Sequence, residues 1–230
     1  MTASAEDLDR LGEGGRLTVF GRTLTLTHLD KPLFPGRGGA PPVTKRELIG
    51  YAIRIAPVLL PYLAGRPLNM YRCPDGVGRP GFWHRHLPGH APGWIPRWPP
   101  ASPGAGPGRS YLVVDEPAAL VWAANFGALE WHASTAPAID PDSPSYALID
   151  IDPGTATSWA DVLVLARLHR DALAHLGVRG QPKVTGRRGV QIWIPVAAGT
   201  TFEQTRSWVE GLSRAVGSVV PGLVSWNWEV

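Results

Sequence analysis

The chain has 230 residues, 44% of them hydrophobic and 18% charged, with a net charge of +3. A chain of that length and hydrophobic share, with no long run of like charge, can bury a sizeable core, which excludes a mainly disordered protein. A single cysteine, Cys73, excludes a disulfide framework and an all-cysteine zinc site; no apolar stretch nears membrane-spanning length, and the polar start MTASAEDLDR is no signal peptide. A cytoplasmic, soluble protein with no membrane partner is expected, and its mildly basic balance fits a polyanion.

Residues 1–15 read as a flexible leader and residues 16–230 as one domain. Residues 16–27 (RLTVFGRTLTLT) alternate around Gly21-Arg22, which predicts a β-hairpin. A basic loop rich in proline and glycine follows over residues 30–42. Thr44-Lys45-Arg46-Glu47 is a capping box, and Leu48, Ala52, Ile55 and Leu59 continue it as one face of a helix, with Pro57 as a kink or boundary. Residues 69–72 read as a strand. Residues 74–98 are loop-rich, basic and aromatic. Residues 99–109 (PPASPGAGPGR) read as an exposed linker, either a subdomain boundary or a long surface loop.

The second half is more regular. Residues 111–114 predict a strand, and residues 117–129 a helix with proline in its first turn. Residues 146–151 predict another strand. Ser158-Trp159-Ala160-Asp161 caps a helix with Val162, Leu165, Leu168, Leu173 and Leu176 on its apolar stripe, ended by Gly177. Residues 190–196 read as a strand and Thr201-Phe202-Glu203-Gln204 as a third capping box. Residues 223–230 alternate again. The order of elements is α+β.

Leu148-Ile149-Asp150-Ile151-Asp152-Pro153-Gly154 carries the sharpest chemistry. Side chains at i and i+2 share one face of a strand, so Asp150 and Asp152 leave it side by side. Two such carboxylates suit a hard divalent cation, and in two-metal phosphoryl transfer such a pair brackets both ions; the alternative is a pair of solvated acids at a turn. Lys183-Val184-Thr185-Gly186-Arg187-Arg188-Gly189-Val190-Gln191 gathers cations, a hydroxyl and glycines, a set suited to phosphate oxygens or to an ordinary basic turn. If its strand pairs in parallel with the one bearing Asp150, a triphosphate could bridge the two motifs. Between Tyr71 and Trp98, Arg72, Arg79, Arg85 and Arg97 interleave with Phe82, Trp83, Trp94 and Trp98, as a nucleic-acid strand requires, or as core rings beside surface arginines. His84, His86 and His90 with Cys73 lack a normal zinc-ligand spacing.

Together these motifs resemble the polymerase domain of bacterial DNA ligase D, in the archaeo-eukaryotic primase superfamily. The resemblance runs from about Leu24 to the end. It is carried by Leu29-Asp30-Lys31-Pro32-Leu33-Phe34-Pro35, Thr44-Lys45, Leu63-Ala64-Gly65-Arg66-Pro67, Arg72-Cys73-Pro74-Asp75-Gly76-Val77 and Gly81-Phe82-Trp83-His84-Arg85-His86. It continues through residues 125–132 (NFGALEWH), Asp150-Ile151-Asp152-Pro153-Gly154 and residues 183–189. The ordered set is far more specific than any one piece.

The resemblance implies an RRM-like catalytic core with an N-terminal β-hairpin and helical additions. It implies primer extension with NTP or dNTP, using Mn²⁺ or Mg²⁺, at DNA ends or gaps. Asp150 and Asp152 match two of three metal carboxylates. His132 matches a nucleotide-site histidine. Thr185 and Arg188 match residues holding the triphosphate, with Arg187 and Gln191 beside them. Lys31 and Lys45 match the grip on a downstream 5′-phosphate, with His28, Arg72 and Arg85 in the DNA-binding set, and Phe82 and Trp83 match a pair stacking on template bases. Three departures stand out: Gln191 where histidine is usual, His28 where asparagine is common, and no late segment resembling Leu-Asp-Tyr, the source of the third acid. Glu229 is the one late acid, on residues 225–230 that read as a strand in progress. A domain truncated at its C-terminus, or one lacking the metal triad, is therefore expected. No ligase motif of the Lys-x-Asp-Gly type occurs, so a separate DNA ligase and an end-binding protein are the expected companions. The alternative is a weak or inactive relative that binds DNA ends through the 5′-phosphate. A metal-dependent phosphohydrolase fits the Asp-x-Asp alone but not the ordered set.

Overall fold

The structure, a computed structural model, describes residues 5–98, 110–186 and 188–226. It divides into two compact units, Met1–Ser134 and Thr135–Val230. The linker read over residues 99–109 lies outside the described residues. Among those described, no helix is long and apolar enough to cross a membrane.

The first unit opens with a short helix α1 (Ala5–Asp9) inside the stretch expected to be a flexible leader. Leu8 is buried there, and Arg46 donates to the carbonyls of Leu8 and Gly12 and to Asp30. Strands β1 (Gly15–Val19) and β2 (Arg22–Leu26) form the hairpin, with Val19 opposite Arg22. Its turn is therefore Phe20-Gly21, one residue earlier than the sequence suggests, and both have positive φ, as a type I′ turn requires. Strands β3 (Pro32–Phe34) and β4 (Val43–Thr44) pair and lead into helix α2 (Lys45–Leu63).

The Thr44–Glu47 capping box is formed. The helix runs through Pro57 and Pro61, because both stand on its exposed side, where the carbonyls they leave without an amide partner can be hydrated. Then follow β5 (Pro67–Arg72), β6 (Phe82–His84), β7 (Arg97–Trp98), β8 (Tyr111–Val113), helix α3 (Pro117–Asn125) and β9 (Ala128–Ala133). Helix α3 stops before the expected Leu129: Gly127, at φ +82, turns the chain, and Ala128 and Leu129 join β9. Strand β5 is central and antiparallel to β6, β8 and β9. Leu68 and Met70 on one face of β5 enter a core shared with Ile49, Ala52 and Leu120. The opposite face carries Asn69 and Tyr71.

In the second unit, β10 (Tyr146–Ile151), helix α4 (Trp159–His175), β11 (Gln181–Val184), β12 (Val190–Pro195) and helix α5 (Phe202–Val219) follow in turn. Both helices begin with capping boxes, Ser158 with Asp161 and Thr201 with Gln204. The strand order is β10-β12-β11 and both pairings are antiparallel. Direct parallel pairing of the two motif-bearing strands is thus corrected: β11 and β12 form a hairpin, and β12 lies between β10 and β11. Ala147, Ile149, Ile151, Val190, Ile192 and Ile194 face the helices and make the core. A 3₁₀ turn (Pro221–Leu223) follows α5, and no strand forms over residues 223–226.

Candidate nucleic-acid interface and active site

The first unit gathers positive charge around Lys45. After β2 the chain turns at His28, whose φ of +53° is a left-handed conformation that asparagine and histidine tolerate better than most residues. That gives the position a physical reason to accept either type. The amide of Lys31 donates to the His28 carbonyl at 3.1 Å, and the amide of Lys45 donates to the Lys31 carbonyl at 2.9 Å. Lys45, first residue of α2, is only 8% exposed. Its ammonium donates to the Thr27 carbonyl at 2.7 Å. Burial first, and then the charges of Lys31 and Arg72, lower its pKa to about 8.

Arg72, at the end of β5, donates from Nε to the Phe126 carbonyl at 2.8 Å. Its guanidinium carbon lies 3.4 Å from the centre of the Phe126 ring and 5.3 Å from that of Phe82. Burial lowers its pKa as well. Lys31 donates to Asp75 Oδ1 at 2.5 Å, and this bond holds the Asp75 carboxyl below the usual range. Cations clustered around a half-desolvated ammonium repel one another, and an incoming anion would relieve that repulsion.

Phe82 and Trp83 are both exposed, at 45% and 51%. As neighbours on a strand they project to opposite faces: Phe82 toward Arg72, and Trp83 toward Tyr71 and His132. The His132 ring is 4.7 Å from that of Trp83, and its Nε2 is 2.9 Å from Glu130 Oε2. Arg85 follows β6 and is exposed. His84 and His90 face the Phe126 ring and His86 faces Tyr111. Among the described residues no three His, Cys, Asp or Glu side chains form a metal-binding group.

The second unit carries the acids. The register Asp150 opposite Gln191, Ile151 opposite Val190 and Lys183 opposite Gln191 puts Asp150, Gln191 and Lys183 on the face away from the helices. Gln191 Nε2 donates to Asp150 Oδ2 at 3.2 Å, and Lys183 Nζ donates to Gln191 Oε1 at 3.4 Å. Asp152 follows the last residue of β10, is exposed, and brings its Oδ1 to Gly189. A Cβ at Gly189 would lie 3.0 Å from the Ile151 carbonyl oxygen, 3.1 Å from Asp152 Oδ1 and 3.2 Å from Thr185 Oγ1. The bare backbone of Gly189 thus lets the Asp152 carboxylate and the Thr185 hydroxyl close in over it. Thr185 also donates to the Gly189 carbonyl at 3.2 Å, and Arg188 reaches the Pro153 carbonyl at 3.5 Å. Arg187 and Glu229 lie outside the described residues.

The donor set fits a hard divalent cation: carboxylate oxygens on one side of a strand exit, over a glycine that leaves them room. The sequence assigns no role to Asp75, Glu130 or Phe126, and it places Lys183 and Gly189 in the phosphate-suited segment without their contacts to Gln191 and Asp152. Glu130 and His132 could have been paired from their i, i+2 spacing. Contacts such as Asp75 with Lys31 have no local signal.

Two acids leaving one strand with a hydroxyl and cations across a β-hairpin in the second unit, and a cation-and-aromatic surface in the first, fit the class of proteins that carry out phosphoryl transfer on nucleic acid. The sequence profile described as "LigD, primase-polymerase domain" matches residues 44–230, and the chain belongs to that family. It is 29% identical over 210 residues to the multifunctional non-homologous end joining protein LigD of Mycobacterium bovis, covering 88% of this chain and 27% of that protein. Against the bifunctional LigD of Bacillus subtilis it is 27% identical over 201 residues, covering 87% and 31%. The chain therefore spans about a quarter to a third of these curated relatives. Among solved structures it resembles the polymerase domain of Mycobacterium tuberculosis ligase D in complex with DNA, with a TM-score of 0.77, 28% identity, and coverage of 89% of this chain and 72% of that one.

Proposed function

We propose that this chain is a DNA repair polymerase domain that adds nucleotides to a primer 3′-hydroxyl at DNA ends or gaps, in cytoplasmic end joining. The observation that carries the reading is the shared face of Asp150, Asp152, Gln191 and Thr185 over Gly189. Asp150 and Asp152 would hold Mn²⁺ or Mg²⁺, which when bound supplies charge neutralisation at the triphosphate and a more acidic primer hydroxyl. Thr185, Lys183 and Arg188 would bind and orient the triphosphate oxygens of an NTP or dNTP, and Gln191 would hold Asp150 in position. Arg187 joins that set by its place in the sequence. His132, fixed by Glu130, would contact the incoming nucleotide. In the first unit, Lys31 and Lys45 would bind a 5′-phosphate, with His28 shaping the turn and Arg72, Arg85, Phe82 and Trp83 contacting the strands. A separate DNA ligase and an end-binding protein are the proposed companions.

A second reading, a DNA-end-binding relative with little catalysis, draws on one observation: no third acid joins Asp150 and Asp152 among the described residues. A primer-extension assay on gapped DNA with Mn²⁺ or Mg²⁺ decides between them. Extension that Asp150→Asn removes supports the polymerase. Tight binding of phosphorylated gaps with no nucleotide addition supports the binding protein.

A further inference from the structure

We propose that Asp75 occupies the cation site until its ligand arrives: its carboxylate is a built-in competitor that a terminal phosphate displaces and an internal phosphodiester does not. This rests on the reading of Lys31 and Lys45 as a phosphate site and concerns what holds that site before the phosphate binds. Of the three cations gathered there, Lys45 and Arg72 donate to neutral carbonyls, of Thr27 and Phe126. Lys31 alone of the three donates to a carboxylate. A carbonyl leaves the charge of its donor intact, whereas Asp75 cancels one charge.

Exchange then depends on the charge of the incomer. A phosphodiester carries one negative charge, so replacing Asp75 with it swaps one monoanion for another. A phosphomonoester carries about −1.5 to −2 at neutral pH, and the excess acts on Lys45 and Arg72 as well. The acid is delivered by rigid construction. The amide of Gly76 donates to the Cys73 carbonyl at 3.0 Å, and that of Val77 to the Leu33 carbonyl at 2.8 Å. Gly76 has φ +82°, and a Cβ there would lie 2.9 Å from the Leu33 carbonyl oxygen. The turn is thus locked against β3, directly after Lys31. The Asp75 side chain itself is 67% exposed, so it can leave into solvent when displaced.

The test is equilibrium binding at fixed salt and neutral pH to gapped DNA ending in either a 5′-phosphate or a 5′-hydroxyl, for the native chain, Asp75→Asn, Asp75→Ala, and Lys31→Ala with Lys45→Ala. Both Asp75 variants are expected to bind phosphorylated DNA about three- to tenfold more tightly, with a smaller gain for hydroxyl-ended DNA, because only the ligand that displaces Asp75 has to break its bond to Lys31. Agreement between the amide and the alanine assigns the effect to charge. A native preference that the double lysine variant abolishes, with no gain in affinity for phosphorylated DNA in either Asp75 variant, overturns the competitor and leaves the phosphate site standing. A native chain with no preference at all overturns the phosphate site and the competitor with it.

Discussion

Lys45 is 8% exposed, while Asp150 and Asp152 are open to solvent, although all carry a formal charge and all are proposed to meet phosphate chemistry. In the first unit the backbone fixes the cations: a left-handed His28, a capped helix start at Lys45 and a ring under Arg72 hold like charges close together before any ligand arrives. In the second unit the acids stand at a strand exit, and their neighbours are a side-chain amide, a hydroxyl and a glycine. The contrast separates a cradle whose cost is borne by the fold from a site whose acids stand open to solvent at a strand exit.

That contrast can be broken most sharply at the acids. Asp150→Asn or Asp152→Asn should lower primer extension on the order of 100-fold or more, while affinity for a 5′-phosphorylated gap stays unchanged. Parallel loss of both activities would mean that the two sites are not independent. Lys31→Ala with Lys45→Ala should do the reverse, removing roughly 10- to 100-fold of affinity for phosphorylated DNA, as loss of charge-assisted bonds would, and sparing cation binding at the acids.

Gly189→Ala sharpens the account of the acid site. The new methyl would press on the Ile151 carbonyl oxygen as well as on Asp152 Oδ1 and Thr185 Oγ1, so Mn²⁺ affinity, read by electron paramagnetic resonance, should fall about tenfold and the melting temperature should fall with it. Unchanged Mn²⁺ affinity would remove Asp152 from the metal set. Smallest is the effect at His28. His28→Val should cost about 1–2 kcal/mol in denaturant unfolding, because a β-branched residue resists φ +53°, whereas His28→Asn should be neutral. Equal costs for the two would show that the turn is not shaped by that conformation.

Much of the local structure was legible because local rules decide it. Three capping boxes start helices at the residues their spacing predicts, and alternation marks Tyr146–Ile151 as a strand with Asp150 facing away from the core. Pairing was not legible, since periodicity says which residues share a face but not which strand lies beside them. Antiparallel β12 therefore came between β10 and β11, and Gln191 became the direct neighbour of Asp150. Likewise Asp75 and Phe126 meet Lys31 and Arg72 only through tertiary folding, and nothing near them in the sequence marks those contacts.

The central claim is that the first unit holds a prebuilt, partly desolvated cation site for a terminal phosphate, and the pH dependence of binding tests it most directly. With a pKa near 8, Lys45 is charged in the free protein below that pH and neutral above it, while a bound phosphate favours the charged form. The phosphate has completed its own second ionisation by about pH 7, with a pKa near 6. The preference of the native chain for 5′-phosphorylated over 5′-hydroxyl gapped DNA should be steady from about pH 7 to 8 and then fall by up to about tenfold per pH unit. In Lys45→Met it should be small and flat across the same range. A native preference that holds undiminished to about pH 9.5, or one that Lys45→Met retains with the same pH profile, would contradict the account.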